Sequence, residues 1–152
     1  MSQEGKPDFY TQKGYQMRSQ HALTGAMEDY LEMICRIAEG EGGVRVGTLS
    51  QKLHVKPSSA TKMLQQLDHA GFIHAEKYGF VHLTEKGREA GRYLLYRHEI
   101  IEKFLCALNQ SSDQLEQAEK IEHFLDRETV KNLDALTSLL RAENGPWQSP
   151  SG

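Results

Sequence analysis

Between Val46 and Leu83 the chain admits few folds. Pro57 suits the first turn of a helix, where its fixed φ fits and its missing N–H is not needed. Behind it Ala60, Met63, Leu64 and Leu67 recur at i, i+3, i+4 and i+7, which makes one helix face apolar. Ser58, Thr61, Lys62, Gln65 and Gln66 cover the opposite face. A shorter helix is expected over Val46 to Leu53, with Leu49 and Leu53 inward and His54-Val55-Lys56 as the turn between the two. After Gly71 come two short alternating runs, Phe72-Ile73-His74-Ala75 and Phe80-Val81-His82-Leu83, joined across Glu76-Lys77-Tyr78-Gly79; that pattern spells a β-hairpin. Short helix, turn, helix, hairpin is the order of a winged helix-turn-helix.

The flanks are helical. Met27, Tyr30, Leu31, Ile34, Ile37 and Ala38 recur at three- and four-residue spacing, with Thr24 as the expected N-cap and Gly40, Gly42 and Gly43 as the stop. Thr84-Glu85-Lys86-Gly87 opens a long helix to about Leu108, Asn109 to Ser112 breaks it, and further helices are expected around 113–125 and 128–141. The expected fold is mainly α: a winged helix-turn-helix over 24–92 and an all-helical unit over 93–141, between a flexible arm at 1–23 and a flexible tail at 142–152. No run of about 18 apolar residues exists to span a membrane. The first 21 residues hold no apolar stretch of secretory type, so the expected location is the cytoplasm and Cys35 and Cys106 are expected to stay reduced, at apolar core positions.

A formal net charge of -3 conceals an uneven distribution. Residues 41–97 hold 9 basic and 5 acidic groups, whereas residues 98–152 hold 5 basic and 10 acidic ones. The basic stretch contains the helix-turn-helix. A major groove admits one helix whose entering face can form hydrogen bonds and whose other face is anchored. Ser58, Ser59 and Thr61 lie in the first turns, where hydroxyls and free N–H groups meet phosphates. Lys56 and Lys62 add charge, Thr61, Lys62 and Gln65 are candidates for base edges, and Lys77 and Tyr78 at the hairpin tip for the DNA backbone or minor groove. A polar helix face alone is commonly only a solvated surface; the ordered set of elements, together with the charge, points to nucleic acid.

Three predicted helices also carry groups able to bind metal: Asp29 and Glu32 on the first, His98, which Glu99 and Glu102 follow, on the long one, and Glu119, Glu122 and His123 on the next. Each group has an ordinary explanation. Acids suit the start of a helix, His98 could be a core histidine bonded to Glu102, and the third set could be a solvated face. Like-charged carboxylates three and four residues apart repel, however, unless something positive compensates. Four carboxylates and two imidazoles without a thiolate suit Mn²⁺ or Fe²⁺ better than structural zinc, and six donors leave room for two ions. An enzymatic di-metal bundle would use paired Glu-x-x-His motifs, and no glutamate here stands three residues before a histidine.

Met27-Glu28-Asp29-Tyr30-Leu31-Glu32, Pro57-Ser58-Ser59-Ala60-Thr61-Lys62-Met63-Leu64, Leu83-Thr84-Glu85-Lys86-Gly87, Tyr96-Arg97-His98-Glu99 and Glu119-Lys120-Ile121-Glu122-His123 resemble, as an ordered set, the motifs of manganese transport regulators within the diphtheria-toxin-repressor family. The resemblance covers about 24–141. It implies a homodimeric, metal-activated repressor of palindromic operator DNA, with no enzymatic activity, no small organic substrate and no membrane partner. It further implies that 93–141 binds metal and dimerises, and that Asp29, Glu32, His98, Glu119, Glu122 and His123 are the ligands. Asp29 and His123 would serve one ion, Glu32 and His98 the other, with Glu119 and Glu122 shared. The expected effector is Mn²⁺, two ions per subunit, with Fe²⁺, Co²⁺ or Zn²⁺ as alternatives. The iron-responsive class carries a thioether and a thiol where this chain has Asp29 and Glu119, which favours manganese by ligand hardness. An Fe²⁺-responsive repressor and a metal-independent winged-helix regulator are the competing readings. The wing departs from the resemblance in reading Lys77-Tyr78-Gly79-Phe80, without an arginine beside its glycine.

Overall fold

The structure, a computed structural model, describes residues 23–38, 43–76, 79–142 and 150. The arm at 1–22, Gly40 and Gly42, the hairpin-tip residues Lys77 and Tyr78, and the tail apart from Ala142 and Pro150 lie outside the described residues.

Helix α1 (Gly25–Ala38) starts at Thr24, whose Oγ1 accepts a hydrogen bond from Met27 N at 3.2 Å. That satisfies one of the free N–H groups of the first turn. Strand β1 (Val44–Arg45) leads directly into α2 (Val46–Leu53), which His54 closes in the left-handed region at φ 55°. Pro57 opens α3 (Pro57–His69), and β2 (Ile73–Ala75) and β3 (Phe80–Leu83) form the hairpin. The antiparallel sheet runs β1-β3-β2, with Ile73 opposite Leu83 and Val44 opposite Val81. The short helix, recognition-type helix and hairpin therefore stand as expected. The two-residue β1 is the addition, because two residues are too few to display a period of two.

Helix α4 (Glu85–Asn109) begins at Thr84, whose hydroxyl accepts from Gly87 N at 3.1 Å and donates to the Gly71 carbonyl at 2.6 Å. Gly87 is required by close approach: a Cβ there would lie 1.9 Å from the Phe72 carbonyl oxygen. One turn further on, Gly91 packs on Cys35, and a Cβ would meet Cys35 Cβ at 2.9 Å. Cys35 is buried and Cys106 half-buried, so the core expectation holds fully only for the first.

Helix α5 (Leu115–Ile121), a 3-10 turn (Glu122–Phe124) and α6 (Arg127–Ala142) follow. A continuous helix over 113–125 is thus not found, since the backbone tightens at Glu122. Two apolar clusters result. The first gathers Leu31, Ile34, Val44, Leu49, Ala60, Leu67, Ile73, Val81 and Leu94; the second joins Ile100, Ile101, Leu105, Ala118 and Val130. α4 contributes to both. Between its Leu94 and Ile100 lie two buried polar residues, Arg97 and His98, so the seam between the cores is charged.

Candidate metal centre and nucleic-acid face

Three elements converge on that seam. Asp29 and Glu32 come from α1, His98 from α4, and Glu122 and His123 from the 3-10 turn. Their donor atoms make two overlapping sets, Asp29 with Glu122 and His123, and Glu32 with His98 and Glu122, and within each set all the atoms lie within 4.8 Å of one another. His98 Nδ1 donates to Glu122 Oε2 at 2.9 Å and stands 3.8 Å from Glu32 Oε1. His123 Nε2 is 3.0 Å from Asp29 Oδ1 and 3.8 Å from Glu122 Oε1. Glu122 is the common member, 1% exposed, and its Oε1 has no hydrogen-bond partner among the described residues. A desolvated carboxylate oxygen without a donor is costly. Between two imidazoles and two further carboxylates, it fits a cation.

Glu119 is the expected ligand that the structure does not bring in. It is exposed and belongs to neither donor set, although it lines the same cleft, of about 1040 Å³, together with Asp29, Glu32, His98 and Glu122. The i, i+3, i+4 argument for a shared face presumes one helix through His123, whereas α5 ends at Ile121 and a 3-10 turn carries Glu122 and His123.

The electrostatics follow from crowding. Hydrogen bonds with Asp29 and then Glu28 push His123 up to about 10, against its burial. The bond to Glu122 raises His98. Burial and then Glu122 raise Glu32, which a hydrogen bond from Arg36 opposes. The carboxylates thus favour positive charge on both rings, and a cation taking those ring nitrogens displaces protons.

On α3 and at its start, Lys56, Ser58, Ser59, Thr61, Lys62 and Gln65 are all exposed, while Ala60, Leu64 and Leu67 anchor the helix inward. The Thr61 hydroxyl donates to its own helix, to the Pro57 carbonyl at 3.0 Å, so its oxygen faces solvent as an acceptor. Of the remaining histidines among the described residues, His54, His69 and His74 are exposed and His82 is half-buried, 3.2 Å from Glu76.

Residues 22–81 match the family described as "Iron dependent repressor, N-terminal DNA binding domain", and residues 84–145 match "Iron dependent repressor, metal binding and dimerisation domain". The chain belongs to the iron-dependent repressor family. It is 37% identical over 123 residues to the HTH-type transcriptional regulator MntR of Oceanobacillus iheyensis, covering 80% of this chain and 83% of that one. To the regulator of the same name from Bacillus subtilis it is 36% identical over 122 residues, covering 80% and 86%. Among solved structures it is similar to the manganese regulator SloR, with TM-score 0.65, 26% identity, and coverage of 72% of this chain and 52% of that one. The chain thus spans about half the length of SloR.

Within this iron-dependent repressor, contacts around the donor sets recruit Glu28, Arg97 and Glu102, of which sequence spacing singled out only Glu102. Glu28 accepts from His123 Nδ1 at 3.1 Å and from Arg97 Nη1 at 3.0 Å, which leaves Nε2 of His123 facing Asp29. Such a carboxylate fixes the ring of a liganding histidine. Arg97 is buried and spans 69 residues of sequence to reach Glu28; nothing in a single sequence indicates that pairing. Glu102 holds the other nitrogen of His98 at 3.1 Å, and this i, i+4 contact is readable from spacing.

Proposed function

We propose that this chain is a Mn²⁺-activated repressor that binds palindromic operator DNA as a homodimer. In this reading Asp29, Glu32, His98, Glu119, Glu122 and His123 hold two ions per subunit, with Glu119 joining from the cleft wall. The observation that carries it is Glu122, a buried carboxylate shared by two donor sets drawn from three elements. Asp29 and His123 then serve one ion, Glu32 and His98 the other. Donors limited to oxygen and imidazole favour manganese over metals that prefer thiolate, and the relatives' names agree. Bound ions supply the positive charge that offsets repulsion among Asp29, Glu32 and Glu122.

The chain's own residues supply the coupling. α1 belongs to the winged unit, proposed as 24–92, and the Glu122–Phe124 turn to the helical unit, proposed as 93–141. Holding Asp29 and Glu32 against His98, Glu122 and His123 therefore fixes the recognition helix relative to the second core. Leu136 and Leu139 on α6 are 45% and 64% exposed, an apolar surface of the kind a second copy covers. With two copies so joined, the α3 faces could enter successive major grooves about one turn apart. Lys56, Ser58, Ser59, Thr61, Lys62 and Gln65, with Lys77 and Tyr78 of the wing, are the proposed DNA contacts. No helix among the described residues is long and apolar enough to cross a membrane, and a DNA regulator of this kind works in the cytoplasm.

Fluorescence anisotropy with a palindromic promoter fragment, titrated with Mn²⁺, Fe²⁺, Co²⁺ and Zn²⁺, tests the reading. Strong activation by Mn²⁺, with zinc binding but activating poorly, is expected; tight DNA binding that no metal changes would favour the metal-independent regulator, and activation by Fe²⁺ alone the iron-responsive one. Glu32→Ala and His98→Ala are each expected to leave a folded dimer whose DNA affinity with Mn²⁺ falls at least tenfold. Metal activation of wild-type size in either variant removes that residue from the site. Lys62→Ala is expected to keep metal uptake, to weaken DNA binding, and to lower the slope of log K against log salt by about one if it meets a phosphate. An unchanged affinity across the salt series would remove Lys62 from the DNA face.

A further inference from the structure

We propose that Arg36 is a releasable counter-cation for Glu32 that sets the metal concentration at which the site fills, a regulation that rests on the metal reading above. Arg36 Nη2 donates to Glu32 Oε1 at 2.9 Å, the same oxygen that stands 3.8 Å from His98 Nδ1. The two residues lie one helical turn apart on α1, and both line the cleft that contains the donor sets. The Glu32 side chain is 11% exposed and that of Arg36 45%, so the carboxylate is held in the seam while the guanidinium reaches in from solvent and can return to it. Arg97 makes the contrast: its side chain is 5% exposed, and Glu28, outside both donor sets, receives its hydrogen bond. Arg97 is built into the seam, and Arg36 is a visitor to it.

Two effects of Arg36 on metal binding oppose each other. The guanidinium's hydrogen bond steadies the Glu32 carboxylate as a donor, which helps any cation. It also places a positive charge no further than about 5 Å from an ion on Glu32 Oε1, the sum of the hydrogen bond and an ordinary metal–oxygen distance of about 2.1 Å. Repulsion outweighs the gain, because the Glu32 side chain is held in the seam by burial whether or not Arg36 is there, whereas a guanidinium cannot lose its charge. The ion therefore either tolerates a neighbouring cation or breaks a charge-assisted hydrogen bond to send Arg36 into solvent. Both lower its affinity.

The test is calorimetric titration of Mn²⁺ into the full chain without DNA, with thermal melts of the metal-free proteins run alongside. Arg36→Met and Arg36→Gln, at a half-exposed position near the end of α1, are expected to fold and to bind Mn²⁺ about tenfold more tightly than wild type, a change of about 1.4 kcal/mol. Affinity within threefold of wild type in either folded variant, or weaker binding, overturns the counter-cation. Wild type and Glu122→Gln in the same titration separate this from failure of the site itself: wild type that takes up no Mn²⁺, or Glu122→Gln that binds as well as wild type, overturns the metal reading and the counter-cation with it. Wild-type uptake lost in Glu122→Gln, with no gain from the Arg36 variants, overturns the counter-cation alone.

Discussion

Glu122→Gln is expected to abolish Mn²⁺ uptake at both donor sets and, with it, metal-dependent DNA binding. Glu122 is the one residue common to the two sets, so a single exchange of oxygen for an amide nitrogen removes a charged donor from each. Loss of residues that merely orient ligands already costs 10- to 100-fold in affinity, and a shared ligand is expected to cost at least about 100-fold. The fold should survive. The amide oxygen still accepts from His98 Nδ1, and taking away a buried negative charge relieves the pressure that Glu122 exerts on Glu32. Melts of the metal-free variant are thus expected within a few degrees of wild type, while titration with Mn²⁺ yields no heat. A variant that binds Mn²⁺ with wild-type stoichiometry would remove Glu122 from the centre.

Gly87→Ala is expected to do the reverse, destroying stability before any question of metal arises. In an ordinary helix interior, alanine is favoured over glycine by about 1 kcal/mol. Here the new Cβ would sit 1.9 Å from the Phe72 carbonyl oxygen, a backbone atom that accepts the Thr84 N–H at 3.1 Å. Relieving the clash means pulling α4 off the sheet, which strains that bond and the Thr84 cap together. A loss of about 3 kcal/mol or more is expected, read as a lower urea midpoint. Stability equal to or above wild type would mean that the contact yields at little cost.

Much of this was legible in the sequence because local rules decide it. Pro57, the stripe behind it, and the hairpin runs fix their own elements, and Thr24 and Thr84 announce helix starts through side chains that cap the next turn. Five of the six expected metal-binding groups meet at the seam, since i, i+3 spacing on a true helix keeps Asp29 and Glu32 together. Glu119 lines the same cleft but stands outside both donor sets, and spacing does not reveal this, because α5 ends at Ile121 and no residue between Glu116 and His123 signals the change to 3-10 geometry. β1 was hidden because it exists only by pairing with β3. Arg97 and Glu28 were hidden because burial and long-range pairing are properties of the packed chain. The wing contacts at Lys77 and Tyr78 stay where the sequence left them, outside the described residues.

One continuous rod, α4, has an end in each half of the molecule. Taken from His98, where the charged seam grips it, to Glu85, where it meets the hairpin, its arm is roughly 20 Å long at 1.5 Å per residue. A tilt of only about 10° at the grip then sweeps the hairpin end through roughly 3 Å, more than a base-edge hydrogen bond can stretch without breaking. A rod of this stiffness turns small angular play at its fulcrum into the difference between a reading head in register with its groove and one that misses it.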